Sequence, residues 1–256
     1  MILEKNYRIT NGKDSISCLC AYDSEDTVRK AVIFTHGFSS SKNGHSAVLF
    51  RKTALSEFRD FVFVGFDWPG HGDSKEVPLR LDACVRYLDS VIADTKERFQ
   101  AEEIYIHGTS FGGYMPLKYI LEKGFPFELA ALRCPAVDMA ETFASSLATT
   151  EQLEKLTRGE TVPVGLTDTV DVTMGFLEDL KKTDLIHADF RAYEGRIYFI
   201  QGTEDELVSC KTVREFARKN RILLDEVEGA DHRFLNDAMM RYAILATAEY
   251  FGLEKR

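Results

Sequence analysis

The sequence predicts an α/β fold in which a mostly parallel sheet carries helices on both faces. Two opening segments, Leu3–Ile9 and Ser15–Tyr22, alternate apolar and polar residues around an Asn-Gly-Lys-Asp turn, which is typical of a β-hairpin. Six short apolar runs follow, as expected for buried parallel strands, so the sheet should have eight strands. The runs are Ala31–Thr35, Phe61–Phe66, Ile104–His107, Leu129–Leu132, Ile197–Gln201 and Ile222–Val227.

Amphipathic segments separate most of these runs. Apolar residues recur at helical spacing from Leu81 to Ile92, and again from Leu235 to Ala246 near the C-terminus. An alternation of strands and helices over this length favours a parallel sheet covered on both sides.

The stretch 137–190 interrupts this rhythm. Glu151–Leu156 and Met174–Leu180 have the pattern of short helices, and Thr161–Leu166 alternates around a proline and a glycine. A structureless loop of this length is uncommon in a domain, so we expect an inserted subdomain. The predicted organisation is a core of residues 1–136 and 191–256, with 137–190 as a cap or lid.

The composition excludes several classes of protein. The chain has 256 residues and a formal net charge of −9, whereas nucleic-acid binders usually carry a basic patch. No apolar run is long enough to span a membrane, and the N-terminus lacks the apolar stretch of a secretory signal. Five dispersed cysteines, without a CxxC motif or a Cys/His cluster, indicate reduced core thiols and no metal site, and hence a cytoplasmic location.

The most informative motif is Gly-x-Ser-x-Gly, formed by Gly108, Ser110 and Gly112. It follows an apolar strand and begins a possible helix, which is the setting in which such a serine serves as a nucleophile. Glycines two residues before and after the serine let the strand and helix approach each other. The alternative is a glycine-rich turn that holds an incidental serine.

An acid and a histidine follow the next two strands. Asp205 comes after Ile197–Gln201, and His232 comes after the last strand, which gives the order Ser, Asp, His. All three would lie at the carboxyl ends of parallel strands. Glu204, Glu206 and Asp231 are rival acids, although the direct neighbour of His232 would reach the imidazole with poor geometry.

Two further loops follow strands of the same sheet. Phe38, after the strand that ends in His36-Gly37, and Phe111, after Ser110, could supply the two backbone N–H donors of an oxyanion hole. The alternative is that His36-Gly37 only turns the chain. In the loop of residues 67–74, His71 and Asp73 suggest a metal site, but no second cluster supports one, and structural packing is favoured.

Together these motifs resemble the α/β-hydrolase superfamily, and the resemblance covers nearly the whole chain. Within it, the sequence looks most similar to small cap-bearing intracellular serine esterases, including the cinnamoyl and feruloyl esterases. The resemblance implies the α/β-hydrolase fold, a Ser110–Asp205–His232 triad, no metal and no organic cofactor. Thr109 and Phe111 depart from the His and Gln that are frequent beside such a serine.

We therefore expect a serine hydrolase that cleaves a small-molecule ester with a small, aromatic or hydrophobic acyl group. Four apolar residues of the insertion are candidates for the acyl pocket, although they could equally hold the cap on the sheet: Phe143, Leu147, Phe176 and Leu177. Thioesterase, monoacylglycerol lipase, acyltransferase and small-peptidase activities use the same triad, and a non-catalytic binding protein is the alternative of another class. The surface of the insertion could also mediate a homodimer.

Overall fold

Eight strands form the central sheet of the computed structural model, which describes residues 2–23, 29–165, 168–183 and 185–256. Along the sheet the strands follow the order β1-β2-β4-β3-β5-β6-β7-β8. Their bounds are β1 Leu3–Asn11, β2 Asp14–Tyr22, β3 Lys30–Thr35, β4 Phe61–Phe66, β5 Glu103–Thr109, β6 Ala130–Arg133, β7 Ile197–Gly202 and β8 Leu223–Val227.

The strand directions confirm the predicted fold class. Strands β1 and β2 pair as an antiparallel hairpin, from Leu3 opposite Tyr22 to Asn11 opposite Asp14. Strand β2 is antiparallel to β4, and every pairing from β4 through β3 to β8 is parallel. Parallel pairing brings the carboxyl ends of β3 to β8 to one edge of the sheet.

Helices cover both faces of the sheet. Successive residues of β3 point to opposite sides, so Ile33 joins the core beneath α2, α3 and α7, whereas Phe34 joins the core beneath α1 and α8. The helices are α1 His45–Glu57, α2 Leu81–Phe99, α3 Phe111–Lys123, α4 Met139–Thr142, α5 Thr150–Thr157, α6 Met174–Lys182, α7 Cys210–Asn220 and α8 Asp237–Tyr250. Among the described residues, no helix is both long and apolar enough to cross a membrane.

Besides the four-residue α4, the helices α1 and α7 have no counterpart in the sequence prediction. The apolar stripe of α1 is weak, because Arg51 lies buried within its inner face, paired with Glu4. The stripe of α7 is regular but narrow: Val213, Phe216 and Ala217 lie at helical spacing between charged residues. The C-terminal helix also begins later than predicted. Asn236 caps α8 through its side chain, and Leu235 lies outside the helix with its side chain exposed.

The segment 137–190 lies between β6 and β7. It contains α4, a π-helical turn (Phe143–Leu147), α5, an antiparallel strand pair (Val162–Val164 and Val170–Val172) and α6. The two predicted short helices are therefore confirmed. The alternating run from Thr161 contains the strand Val162–Val164, and its last residue, Leu166, lies outside the described residues. Shorter elements elsewhere are 3-10 turns at Gly72–Ser74 and Arg191–Tyr193 and a two-stranded pairing of Phe58–Arg59 with Glu254–Lys255.

Aromatic packing and one ion pair hold this segment to the rest of the chain. Phe176 stacks on Phe38, with ring centroids 6.2 Å apart, and Phe143 meets the same ring edge-on at 5.8 Å. Arg80, just before α2, forms two hydrogen bonds with Asp179 of α6, at 2.7 and 2.8 Å. The five cysteines are free thiols, four of them buried, as the sequence predicts for core positions.

Candidate active site

Ser110 lies at a sharp turn between β5 and α3. Its φ is 56° and its ψ is −118°, a conformation that side-chain-bearing residues rarely adopt, and α3 begins at the next residue, Phe111. The Ser110 amide donates to the carbonyl of Arg133 at 3.0 Å, which ties the turn to the end of β6. The serine side chain consequently stands at the carboxyl edge of the sheet.

The two glycines of the motif are required by close backbone contacts. A Cβ at Gly108 would lie 2.1 Å from the Gly112 carbonyl oxygen, and a Cβ at Gly112 would lie 2.0 Å from the carbonyl oxygen of Thr35. Neither contact is possible unless the backbone moves. The strand and the helix can therefore approach this closely only if these two positions have no side chain. Gly37 packs on the turn as well, because its Cβ position is 3.4 Å from the Cβ of Ser110.

Asp205 and His232 meet as the sequence predicts. The Nδ1–H of His232 donates to Asp205, with Nδ1 at 2.9 Å from Oδ2 and 3.0 Å from Oδ1. Two of the rival acids contact backbone instead: Glu206 accepts the amide of His232 at 3.1 Å, and Asp231 accepts the amide of Leu235 at 3.0 Å. Asp205 is the candidate acid whose carboxylate contacts the imidazole.

A set of donors fixes the Asp205 carboxylate. Gln201 donates from Nε2 to Oδ2 at 2.9 Å, and the amides of Leu207 and Val208 donate to Oδ1 at 2.9 and 2.7 Å. Burial acts to raise the pKa of Asp205, but hydrogen bonds, chiefly from His232, outweigh it and hold the pKa below its ordinary value. The carboxylate thus stays ionised at neutral pH and keeps the proton on Nδ1 of His232.

Ser110 and His232 line one cavity of about 370 Å³ at the carboxyl edge of the sheet. This volume lies within the range of sites for small molecules. Its wall includes the apolar side chains of Phe38, Leu147, Leu207 and Leu235, together with Arg133 and the start of α1. The exposed position of Leu235 is explained by its place at this opening.

The cavity contains one of the four acyl-pocket candidates. Leu147 lines it, whereas Phe143 and Phe176 are fully buried in the aromatic cluster around Phe38 and are absent from its wall. Leu177 packs, half-buried, against the same core and is also absent from the wall. For these three residues the structure agrees with the alternative interpretation, in which they hold the insertion on the sheet.

Two buried histidines hold the loop that carries Phe38. His71 donates from Nδ1 to the Pro69 carbonyl at 2.9 Å, and its Nε2 accepts the amide of Ser39 at 3.2 Å. His36 similarly donates to the Gly37 carbonyl at 2.8 Å and accepts the amide of Trp68 at 3.2 Å. Burial lowers the pKa of His36 to about 4 and that of His71 to about 3, so both rings are neutral at neutral pH.

The predicted structural role of the loop at residues 67–74 agrees with these contacts. Asp73 pairs with Lys42 at 2.7 Å, and the fully buried Asp67 pairs with the same ammonium at 2.6 Å. Burial acts to lower the pKa of Lys42, but the bonds to Asp67 and Asp73 outweigh this effect and raise it. Lys42, between Phe38 and α1, therefore fastens the loop of residues 67–74 to the segment that follows Phe38.

Within the described part of the chain, one group of side chains could hold a metal ion. Ligand atoms of Cys134, Asp205 and His232 lie within 4.8 Å of one another. Both oxygens of Asp205 already accept protein hydrogen bonds, and the pKa of the buried Cys134 thiol is raised well above its ordinary value by burial. Because a coordinating cysteine must be a thiolate, this donor set suits an acid–base pair better than a cation.

Arg133 is a residue of the site that no sequence motif indicated. It ends β6, its side chain is buried, and it lines the cavity beside Ser110. The signal in the sequence is a charged residue directly after the apolar run Leu129–Leu132. This strand is parallel to β5, so it ends at the same sheet edge as Ser110.

Comparisons with known proteins agree with this architecture. The family model described as serine aminopeptidase, S33, matches residues 26–163, which is more than half of the chain. No curated protein sequence gives a significant match.

Solved structures share the fold over nearly their whole length. Est1E from Butyrivibrio proteoclasticus, bound to ferulic acid, has a TM-score of 0.77 at 14% identity, covering 96% of this chain and 97% of its own. The esterase domain of a Rhodothermus marinus protein has a TM-score of 0.71 at 16% identity, covering 99% of both chains. The mouse α/β hydrolase domain-containing protein 10 has a TM-score of 0.70 at 16% identity, covering 97% of this chain and 98% of its own. The family match and the shared fold identify the chain as a member of the serine aminopeptidase S33 family of α/β hydrolases.

Proposed function

We propose that this hydrolase cleaves carboxylic esters through an acyl-enzyme on Ser110, with His232 as general base and Asp205 as the residue that orients it. The observation that carries the proposal is the placement of Ser110 and His232 in one cavity, with Nδ1 of His232 held 2.9 Å from Asp205. A histidine fixed in this tautomer presents an unprotonated Nε2, which can accept a proton from a serine hydroxyl.

The steps follow from these positions. Ser110 Oγ attacks the ester carbonyl while His232 Nε2 accepts the hydroxyl proton, and the tetrahedral intermediate forms. The amides of Phe38 and Phe111 are the proposed donors to its oxyanion, each worth about 3 kcal/mol. The intermediate expels the alcohol, which takes the proton from His232. A water then attacks the acyl-enzyme by the same route and releases the carboxylic acid and free Ser110.

The cavity wall supports a hydrophobic or aromatic acyl group. Phe38, Leu147, Leu207 and Leu235 surround the opening, and Leu147 belongs to the segment 137–190, which we propose acts as a cap. Est1E, which shares the fold, binds ferulic acid. Ferulate esters are therefore a reasoned choice of aromatic substrate.

The family description raises aminopeptidase activity as the second candidate. An aminopeptidase must hold the positive α-ammonium group of its substrate, which calls for acidic or carbonyl partners at the site. The cavity wall contains two arginines, the buried Arg133 and the exposed Arg233, and one acid, the exposed Asp168. The local charge favours an ester without a free amino group.

The test compares substrates on wild-type protein and on the Ser110→Ala variant. The substrates are p-nitrophenyl esters from acetyl to decanoyl, methyl ferulate, an acyl thioester, a monoacylglycerol and an aminoacyl anilide. We expect hydrolysis of short or aromatic esters by wild type alone. Equal activity of Ser110→Ala would remove the serine from the mechanism, and cleavage confined to the anilide would replace the esterase with a peptidase.

A fluorophosphonate probe gives a second readout that is independent of substrate choice. We expect covalent labelling of wild type and none of Ser110→Ala. Absence of labelling together with absence of turnover would favour a non-catalytic binding protein. Light scattering on the same samples tests the predicted homodimer.

A further inference from the structure

The guanidinium of Arg133 is a buried charge in the wall of the cavity. Only 4% of the residue is exposed, and the cavity that it lines also contains Ser110 and His232. Nη1 donates to the Arg233 carbonyl at 3.1 Å and approaches the sulfur of Met240 at 3.8 Å, while Nη2 donates to Ser46 Oγ at 2.9 Å. All three partners are uncharged.

No aspartate or glutamate in the described part of the chain forms an ion pair with this guanidinium. Asp205 and Asp231 lie near enough to act on the pKa of Arg133, but Asp205 is hydrogen-bonded to His232 and to the Val208 amide, and Asp231 accepts the amide of Leu235. Burial lowers the pKa of Arg133, yet a guanidinium remains protonated in proteins. A buried cation without a direct ion-pair partner costs free energy, part of which an anion entering the cavity would recover.

The N-terminus of α1 adds a second source of positive potential at the same place. Gly44, His45 and Ser46 line the cavity, and α1 begins without a side-chain cap or an acidic residue in its first turn. The first N–H groups of a helix have no partner within it and carry partial positive charge. Because Ser46 accepts the hydrogen bond from Arg133, the helix end and the guanidinium converge on one corner.

The guanidinium of Arg133 lies over the ring of Phe234, 4.9 Å from its centroid, but its hydrogen-bond partners do not require a charge. The carbonyl of Arg233 and the hydroxyl of Ser46 are neutral acceptors, which an uncharged amide donor could also satisfy. A fork of N–H donors beside a helix N-terminus is, by contrast, well suited to the paired oxygens of a carboxylate or phosphate.

We propose that this corner, defined by Arg133, Ser46 and the first turn of α1, binds an anionic oxyacid group of the substrate. The substrate is then an ester that also carries a carboxylate or a phosphate, such as a half-ester of a dicarboxylic acid. This inference rests on the proposed ester hydrolysis at Ser110. The anionic end lies at the corner while the ester carbonyl reaches the serine within the same cavity.

The kinetic test compares methyl hydrogen glutarate with methyl pentanoate, which are similar in length but differ in the terminal carboxylate. We expect wild type to prefer the charged ester at least tenfold in kcat/KM. The ratio of kcat/KM for the charged ester to that for the neutral ester should fall to about 1 in Arg133→Met and in Ser46→Asp. It should be intermediate in Arg133→Lys. An acid in the first turn favours the helix, so Ser46→Asp should fold even if Arg133→Met does not.

The matched control is Ser56→Asp, which adds the same charge at an exposed position near the far end of α1. It should keep both the wild-type activity and the wild-type preference. A kcat/KM ratio near 1 in wild type would overturn the proposal. So would a ratio that stays at the wild-type value in both Ser46→Asp and Arg133→Lys.

A binding measurement separates this proposal from the esterase assignment. Glutarate and inorganic phosphate are titrated calorimetrically into wild type, Ser110→Ala and Ser46→Asp. Saturable binding that Ser46→Asp weakens at least tenfold supports the anion site even if no ester is cleaved, and the better ligand identifies carboxylate or phosphate. Ester turnover without binding of either anion leaves the hydrolase intact and refutes the anion site.

Discussion

Both carboxylate oxygens of Asp205 lie within 3.0 Å of Nδ1 of His232, and two backbone amides and Gln201 hold the same carboxylate from the other side. The acid is therefore fixed before any substrate binds. Its position after β7, one strand from the loop of His232 after β8, makes this contact a product of the parallel sheet.

Replacing Asp205 tests whether this contact serves catalysis. In Asp205→Asn the amide presents a donor to Nδ1 and so favours the wrong tautomer, and we expect kcat/KM for a p-nitrophenyl ester to fall about 10⁴-fold. Glu206→Gln is the matched control, since Glu206 contacts the backbone amide of His232. Its activity should stay within about threefold of wild type, and a larger loss in Glu206→Gln than in Asp205→Asn would reverse the assignment.

A methyl group at Gly108 tests the geometry of the turn. The Cβ of Gly108→Ala would meet the Gly112 carbonyl at 2.1 Å, so backbone must shift, and we expect a loss of more than about 3 kcal/mol in the free energy of unfolding. Gly12→Ala provides the comparison: its φ is also positive, at 59°, but the added atom meets nothing within 4 Å. It should cost about 1–2 kcal/mol in urea unfolding. Equal losses in the two variants would contradict the crowding argument.

Stability should fall as the pH drops below about 6.5. Burial lowers the pKa of His36 to about 4 and those of His71 and His107 to about 3, so between these values and 6.5 the unfolded chain binds more protons than the folded chain. Between 6.5 and its folded-state pKa, each histidine lowers the free energy of unfolding by about 1.4 kcal/mol per pH unit. The three together therefore lower it by about 4 kcal/mol per pH unit. Urea unfolding from pH 7.5 to 5 measures this slope.

The control for this slope is His107→Gln, at a position away from the cavity wall. Glutamine keeps a donor for the Ala131 carbonyl, which Nδ1 of His107 contacts at 2.9 Å. The pH slope should decrease by about one third in this variant. A stability that is flat between pH 7 and pH 5 would be inconsistent with three neutral buried rings.

Truncation of Phe176 tests how the segment 137–190 is held. Its ring is fully buried and stacks on Phe38, so Phe176→Ala should lower the free energy of unfolding by about 3–5 kcal/mol. Because Phe38 carries a proposed oxyanion amide, we also expect a lower kcat. Leu177→Ala, one residue along α6 and only partly buried, should lose less than half as much stability. Similar losses in both variants would argue against a specific aromatic anchor.

Local sequence signals predicted most of the fold. Each buried strand of the sheet is a short apolar run, and α2 repeats its apolar residues at helical spacing, because burial on one or both faces demands those patterns. The signal failed for α1, where the buried Arg51 is satisfied by Glu4 from β1, a partner 47 residues away. At α7 the signal is present but short: only Val213, Phe216 and Ala217 form the buried stripe, because most of this helix surface faces solvent.

By itself, the sequence determined the turn at Ser110 and the chain order of Ser110, Asp205 and His232, because glycines are obligatory where backbones touch and the motif is contiguous. Only the tertiary structure decided which of four acids meets His232, that Phe143 and Phe176 anchor the insertion while Leu147 lines the cavity, and that Arg133 lies buried beside Ser110. These outcomes depend on contacts between residues far apart in the chain. The physical reason is that hydrogen bonding and burial select partners by distance in space, whereas sequence patterns record only local periodicity and turn chemistry.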